Sequence, residues 1–277
     1  MDQAMPRGFG LVGLLVTMAC IVVLMAVFMG GLNTAVTGAG KVLPGSVASV
    51  KDEIQLSELF KALLADGLSG GGAGSEGRSG GGLPVPSDLD RQHDRSKDTT
   101  ASVWSLIVMS NSAAPKMLVS ANERNPSVWV DENYDYEVYD PSNGIFWDPS
   151  FKADLTTESN VSYAHMPLCG ERLARQWRTP SLDPSFPLIG SRGPRDGKVR
   201  PDSWTTGRDG KWAGHLVFGD GHVAWTDSTD APGRRRGEGP TARADGLFVM
   251  EEGPEGGDAI ISFTKLMSSG RPELQWD

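Results

Sequence analysis

Cysteine is nearly absent from this sequence: the 277 residues include two, Cys20 and Cys169. Cys20 lies inside a long apolar run near the N-terminus, whereas Cys169 lies in the polar remainder of the chain, so the two cannot easily meet. This excludes the internal disulfide framework on which small secreted domains often depend. We expect Cys169 to be a small buried hydrophobic residue rather than a reactive thiol.

Signals for common enzyme and nucleic-acid sites are also scarce. The chain has four His, and none begins a His-Glu-x-x-His segment. The Gly-rich stretch 69–82 follows no predicted strand and does not end in Gly-Lys-Ser/Thr, which excludes a phosphate-binding loop. A net charge of -9 does not favour binding to nucleic acid. We predict a protein that is not an enzyme, needs no cofactor and binds no nucleic acid.

Charge is missing from the whole stretch between Arg7 and Lys41. An apolar run of about 20 residues can span a bilayer as a helix, and its backbone must then be helical because lipid offers no hydrogen-bond partners. Arg7 favours a cytoplasmic N-terminus. We therefore predict a single-pass protein of the cytoplasmic (inner) membrane whose C-terminal domain is extracytoplasmic.

Two simpler interpretations of the apolar run remain open. A secretory signal has an apolar core of about 7–15 residues followed by a small-residue cleavage site. Here the run is longer, and the small residues of 34–39 come late for such a site. An ordinary uncleaved membrane anchor is the other alternative.

The residues at the start of the run indicate something more specific. Gly8 and Phe9, preceded by Arg7, resemble the processing site of type IV prepilins and type II secretion pseudopilins. In those families a membrane peptidase cuts between such a Gly and Phe, and the new N-terminal Phe is methylated. The resemblance implies that Gly8 precedes the cut and that Phe9 becomes the first residue of the mature chain. Residues Leu11, Val12, Leu14, Leu15 and Val16 match the usual apolar pattern.

One position departs from the family pattern. The families usually carry Glu at the fifth mature position, where it is thought to neutralise the N-terminal ammonium of a neighbouring subunit, and this chain has Gly13 there. Some minor, tip-located pseudopilins also lack this Glu. The resemblance implies prepilin peptidase, other pilin-like subunits and the lipid bilayer as partners.

The sequence predicts an α+β fold, in which a long N-terminal transmembrane helix is followed by a mainly antiparallel β domain. Apolar residues at 3–4 spacing predict a second helical piece from Ser46 to Leu64. The resemblance implies that this piece is the half of the N-terminal helix that packs on a sheet, and a free helix next to the membrane is the alternative. The predicted segments are a leader over 1–8, a transmembrane helix over 9–32, a helical extension over 33–66, a disordered Gly-rich linker over 67–99 and an extracytoplasmic β-rich domain over 100–277. Extended segments are predicted over 116–121, 126–131 and 134–139, a long loop over 172–201 and a charged loop over 231–244.

The clearest short-range signal is the hairpin at 215–225. Its Asp220-Gly221 pair stands between apolar alternating runs, and Gly supplies the positive φ that such a turn needs. His215, Asp220 and His222 are candidates for a metal or acid–base site. The simpler interpretation is that Asp220 and Gly221 form the turn, that His222 is a surface residue, and that no metal is bound.

The same segment carries a second resemblance. Residues 215–223 are similar to the last motif of a C-terminal domain of unknown function that many prepilin-like proteins share, Asn-Val-Leu-Phe-Ala-Asp-Gly-His-Val. Gly210 stands where that group has a His ten positions before the Asp. Asp148 stands where its Phe-x-Cys-Pro-Ser segment has Cys, and Ser162-Tyr163 resembles its Ser-Tyr segment.

Acidic and tryptophan residues suggest two further binding roles. The acidic stretch 131–148 contains oxygen ligands that calcium prefers, but it lacks the regular spacing of a calcium loop, so we expect solvated loop charge. The chain has eight Trp, of which an exposed subset can serve partner or glycan binding.

Taken together, the residues and the resemblance predict a prepilin-like structural or minor subunit of a type II secretion or type IV pilus-like assembly, with a cell-surface filament as the alternative location. The alternative is a membrane-anchored extracytoplasmic binding protein that does not polymerise, favoured by Gly13 and the long linker. An exported hydrolase that uses the hairpin residues is the weakest alternative.

Overall fold

The computed structural model describes residues 44–68, 82–178, 183–201, 203–205, 210–237 and 239–277. All of them belong to one structural unit, Lys41–Asp277. Within these ranges the chain forms three α-helices and ten β-strands. The helices are α1 (Val47–Leu68), α2 (Thr100–Met109) and the single turn α3 (Gly170–Arg172). The strands are β1 (Ala153–Asp154), β2 (Glu158–Ser159), β3 (Tyr163–His165), β4 (Pro187–Ser191), β5 (Gly214–Phe218), β6 (Val223–Thr226), β7 (Asp230–Arg236), β8 (Arg243–Gly246), β9 (Phe263–Ser268) and β10 (Arg271–Gln275).

The strands form four separate antiparallel sheets rather than one large one. The largest has four strands in the order β3-β4-β5-β6, and the others are the pairs β1-β2, β7-β8 and β9-β10. The predicted hairpin is confirmed, with His215 opposite Trp225 and Val217 opposite Val223.

The predicted fold class needs correction. No helix in the described ranges is both long and apolar enough to cross a membrane. The predicted mainly antiparallel β domain is replaced by three helices and sheets of two to four strands joined by long irregular stretches. The transmembrane helix predicted over 9–32, like the leader, lies outside the described residues.

Side chains that bond to their own backbone explain much of this difference. The predicted extended segments 116–121, 126–131 and 134–139 form no named strand. In this region Asn125, Asp131 and Asp135 each accept a hydrogen bond from the backbone N–H two residues later, at 2.9–3.0 Å. Such local bonds compete with the ladder of a sheet and favour turns.

Helix α1 begins after Ser46, whose hydroxyl accepts a hydrogen bond from the Ser49 N–H at 3.1 Å and caps the helix. The helix lies against β4, β5 and β6 of the four-stranded sheet. The prediction that this piece packs on a sheet is confirmed, and the alternative of a free helix is wrong. Its second half buries the expected apolar side chains, including Leu59 and Leu63.

The first half of α1 buries a different face from the one that its apolar residues predict. Val47, Val50 and Ile54 are exposed, whereas the polar side chains of Asp52 and Gln55 are buried. The helix is therefore rotated so that polar groups face the rest of the molecule. Their partners, described below, explain why this orientation is stable.

The structure also differs from the prediction of a disordered linker over 67–99. Residues 69–81 lie outside the described residues, but Leu83 and Val85 are buried in the core and two 3₁₀ turns, Pro86–Leu89 and Arg95–Lys97, follow. Buried Asp98 accepts hydrogen bonds from the Ser87 N–H at 2.9 Å and hydroxyl at 3.0 Å. These apolar and capped polar contacts order a segment whose composition indicates a coil.

Two other predicted loops contain regular structure. The stretch 172–201 includes β4 and a π-helical turn, Leu173–Trp177. The charged segment 231–244 contributes to the β7-β8 hairpin, in which Arg235 lies opposite Ala244. The core between α1, α2 and the sheets is rich in aromatic residues, and Trp104, Trp177 and Trp212 are fully buried.

Candidate functional site

The Asp-Gly-His turn is held together by its own polar side chains. One Asp220 carboxylate oxygen accepts hydrogen bonds from the His222 backbone N–H at 3.1 Å and from its ring Nδ1 at 2.6 Å. Burial acts to raise the pKa of Asp220, but the bonds from His222 hold that pKa below its ordinary value. The His222 ring stacks on Phe218 with 4.4 Å between ring centroids. Asp220 and His222 thus stabilise the turn at the surface.

Gly221 is required at this turn for two reasons. Its φ of +86° belongs to the left-handed region that side chains with a Cβ rarely adopt. A Cβ at this position would also lie 2.9 Å from the Phe60 ring on α1. The turn therefore packs closely on the helix.

His215 lies on the same hairpin but in a different environment. It is buried against α1, and its Nε2 is 3.3 Å from the Ser49 hydroxyl. Burial lowers the pKa of His215, and the negative charges of Asp52 and Glu53 only partly oppose this effect. Among the described residues, no hydrogen bond joins His215 to Asp220 or His222, so the three candidate residues do not form one cluster.

The described ranges contain no group of three or more His, Cys, Asp or Glu side chains placed to hold a metal ion. In the acidic stretch 131–148, the buried Asp148 carboxylate stabilises the local backbone. It accepts hydrogen bonds from the backbone N–H groups of Asp135 and Ser150 at 2.9 Å and 2.8 Å. Burial acts to raise the pKa of Asp148, but these hydrogen bonds hold that pKa below its ordinary value.

The most concentrated polar site in the described part of the chain surrounds Asp52 on α1. Its carboxylate accepts hydrogen bonds from the Ser120 hydroxyl at 2.7 Å, the Ala121 backbone N–H at 3.0 Å and the Asn122 amide at 2.6 Å. The Tyr163 hydroxyl, on β3, is 3.1 Å from the same carboxylate. A buried charge with this many donors is well compensated.

Gln55 extends the same contact one helical turn further. Its amide nitrogen lies within 3.3–3.4 Å of the backbone carbonyls of Lys116, Met117 and Val119. Its carbonyl oxygen is 3.2 Å from the Tyr163 hydroxyl. Burial and the Asp52 charge raise the pKa of Tyr163 well above its ordinary value, so this phenol stays protonated and can donate.

A second buried polar cluster adjoins the first. The Arg192 guanidinium forms a two-pronged ion pair with Glu123, with 2.7 Å between Nη2 and Oε1, and its Nε lies 3.2 Å from the Asp277 carboxylate. Burial alone would raise the pKa of Glu123, but the bonds and charge of Arg192 hold it below its ordinary value. Residues of the two clusters line a pocket of about 20 Å³ that is partly open to solvent and has room for one water molecule.

Sequence reasoning missed this network. The available signal was the pair Asp52 and Gln55, three residues apart on α1, since polar residues at that spacing share one helix face. The apolar residues Val50 and Ile54 predict that a different face of the helix is buried, and this obscured the pair. The partners of Asp52 lie about 70 residues away at Ser120–Asn122 and more than 100 away at Tyr163, so no local pattern links them.

Two further side chains that are capable of acid–base or thiol chemistry, His165 and Cys169, are buried. His165 is fully buried, with Nε2 2.9 Å from the Thr100 hydroxyl and Nδ1 2.7 Å from the Met166 carbonyl. Burial lowers the pKa of His165 to about 4. Cys169 is buried as expected, and burial raises the pKa of its thiol.

The predicted processing residues Gly8 and Phe9, and Gly13 at the position that usually carries Glu, lie outside the described residues. Comparison of the chain with protein-family models, with curated proteins and with solved structures finds no match. The described residues thus form an internal interface, in which buried polar side chains and the Asp-Gly-His turn hold α1 on the four-stranded sheet.

Proposed function

We propose that this chain is a prepilin-like structural or minor subunit of a type II secretion or type IV pilus-like assembly, processed between Gly8 and Phe9. One observation of the structure supports this most strongly. The helix that follows the N-terminal apolar segment, α1, is fixed on an antiparallel sheet. In the families that the N-terminus resembles, the second half of the N-terminal helix packs on a sheet in this way.

The firm docking of α1 gives this arrangement a mechanical role. Asp52 and Gln55 bond to the Tyr163 hydroxyl on β3, and Phe60 lies against the Gly221 turn, so the helix contacts the sheet at several points along its length. A force applied through the N-terminal segment is then transmitted to the folded domain. A subunit of a pilus-like assembly needs such a connection, because the N-terminal segments carry the contacts between subunits.

The proposal places the chain in the cytoplasmic membrane through the apolar segment that starts at Phe9, with residues 44–277 on the extracytoplasmic side. Prepilin peptidase would release residues 1–8, and pilin-like subunits would contact the mature N-terminal segment. The alternative, a membrane-held extracytoplasmic binding protein that does not polymerise, is favoured by Gly13 in place of Glu.

Crosslinking from the apolar segment separates these two functions. A photo-crosslinkable amino acid at Leu15, introduced into the full chain and irradiated in the native membrane, should give a ladder of products that contain pilin-like subunits. The matched control carries the same amino acid at Lys61, an exposed position on α1.

A ladder from Leu15 that is absent in the unirradiated sample supports the subunit function. A single uncrosslinked species from Leu15, under conditions in which the Lys61 control is efficiently incorporated, contradicts it and leaves the non-polymerising alternative.

A further inference from the structure

The loop 131–148, which we name the acidic aromatic loop, carries an unusual concentration of one charge. Between Arg124 and Lys152 the sequence contains six acidic residues and no Lys or Arg. None of the six forms an ion pair with another described residue. Glu132, Asp135 and Glu137 are exposed. The loop therefore presents exposed negative charge, although Lys152 acts on the buried Asp148 and Lys97 lies 5.0 Å from the Phe146 ring.

Aromatic side chains share this surface. Trp129, which immediately precedes the loop, is 44% exposed, and Tyr136 and Tyr139 are 42% and 41% exposed. These side chains are among the most exposed aromatic residues in the described ranges. Exposed aromatic rings together with carboxylates are suited to binding guanidinium groups, which stack on ring faces and pair with carboxylates in two-pronged geometry.

The loop is also held in a defined shape. The buried Tyr134 hydroxyl donates to the Ser105 carbonyl at 2.8 Å and accepts from the Asp148 backbone N–H at 3.3 Å. Asp140 and Ile145 exchange two backbone hydrogen bonds of 2.9 Å across the tip. A surface that is already ordered loses little conformational entropy on binding.

The same chain offers a complementary surface on the β7-β8 hairpin. Arg235 and Arg243 are exposed, and neither forms an ion pair with a described residue. Their neighbours differ, since Arg234 pairs with Asp245 at 3.3 Å and Arg236 with Glu251 at 3.1 Å. The Arg235 guanidinium donates a hydrogen bond to the Ala242 carbonyl of the same hairpin, but its positive charge stays at the surface. Both guanidinium groups can therefore pair with carboxylates of an external partner.

We propose that the acidic aromatic loop of one copy of this chain binds the Arg235 and Arg243 surface of a second copy. The carboxylates of Glu132 and Glu137 pair with the guanidinium groups, and the Tyr136 ring packs against one of them. Because the two surfaces are different, the contact is head-to-tail and repeats from copy to copy. It is independent of cleavage at Gly8, so its failure and the failure of the proposed processing are distinguishable.

Charge exchange between the two surfaces tests this contact. The full chain is purified in detergent, and self-association is measured by analytical ultracentrifugation at low ionic strength. Arg235→Glu/Arg243→Glu and Glu132→Lys/Glu137→Lys should each weaken association by about tenfold or more, because like charges then face each other. An equimolar mixture of the two variants should restore it, since each reversed surface meets an opposite one.

Matched controls separate the specific contact from net charge. Lys61→Glu/Arg175→Glu makes the same change in charge at exposed positions elsewhere and should leave association unchanged. Tyr136→Ala should weaken it, whereas Leu266→Ala, also at an exposed apolar residue, should not.

The proposal is overturned if the wild-type chain does not associate in this assay or binds only an added oligo-arginine peptide. It is also overturned if the mixture of reversed variants fails to restore association, or if the Lys61→Glu/Arg175→Glu control weakens association to the same extent.

Discussion

At the scale of single residues, Gly221 combines two constraints that can be separated by experiment. Its positive φ is strained for any residue with a Cβ, and its Cβ would meet the Phe60 ring. Gly270, in the β9-β10 turn, has a similar φ of +76° but nothing within 4 Å of a Cβ. The pair therefore distinguishes backbone strain from helix contact.

Gly221→Ala should destabilise the fold by about 2–4 kcal/mol, because overpacking against Phe60 adds to a backbone strain of about 1–2 kcal/mol. Gly270→Ala should show the strain alone. Urea unfolding of the two variants measures the difference, and equal losses would show that Gly221 does not approach the helix as described.

His165 gives the fold a dependence on pH with a definite sign. Its pKa is lowered from 6.5 to about 4 in the folded chain, so the unfolded chain binds a proton more readily. The stability from this residue is complete above about pH 6.5 and is lost as the pH falls toward 4.

We expect the free energy of unfolding to fall by about 2 kcal/mol between pH 7 and pH 5 from His165. Buried His215 adds to the loss in the same direction. Urea unfolding at both pH values measures this loss. A stability that is unchanged or higher at pH 5 would contradict a buried, neutral His165.

At the scale of elements, the position of α1 depends on the hydrogen bonds that Asp52 accepts. Removing the Asp52 carboxylate leaves the Ser120, Ala121 and Asn122 donors without their partner. Asp52→Ala should therefore cost about 1–3 kcal/mol, since these partly buried donors lose a charged acceptor.

Hydrogen–deuterium exchange of residues 47–68 shows whether the loss of stability is local to α1. Asp52→Ala should increase the exchange rate in α1 much more than in the four-stranded sheet. Glu58→Ala, on the exposed side of the same helix, should change neither. Equal exchange in wild type and Asp52→Ala would show that the polar cluster does not hold the helix.

The elements differ in how well local sequence patterns predict them. The hairpin at 215–225 is predictable because Asp220-Gly221 and the flanking apolar residues specify a turn within a few positions. The helical spacing similarly locates α1. The buried orientation of Asp52 and Gln55 is not predictable, because it depends on a loop and a strand far along the chain. The strands β3-β4-β5-β6 pair in chain order, but the connections from β3 to β4 and from β4 to β5 are long, so no short-range pattern specifies those two pairings.

At the scale of the whole molecule, Arg192 joins distant stretches of the chain. Its guanidinium contacts Glu123 and Asp277, and the Asp277 backbone N–H donates to the Gly193 carbonyl at 2.9 Å. Breaking such a buried pair leaves an uncompensated charge, which is costlier than losing a surface pair.

Glu123→Gln should destabilise the fold by about 3 kcal/mol, because Asp277 compensates Arg192 only in part. Thermal unfolding measures the change. Asp196→Asn, which breaks the exposed 4.0 Å pair with Arg200, is the control and should have little effect. A loss no larger than that of the control would mean that the Arg192 cluster does not stabilise the molecule.

The proposed function depends on the N-terminus, and the measurement that tests it most directly is the mass of the mature N-terminal peptide from protein purified out of its native membrane. We predict a chain that begins at methylated Phe9. A chain that still begins at Met1 would contradict prepilin processing and leave a plain membrane anchor. A start beyond about residue 35 would contradict it in a different way, since it would indicate a cleaved secretory signal.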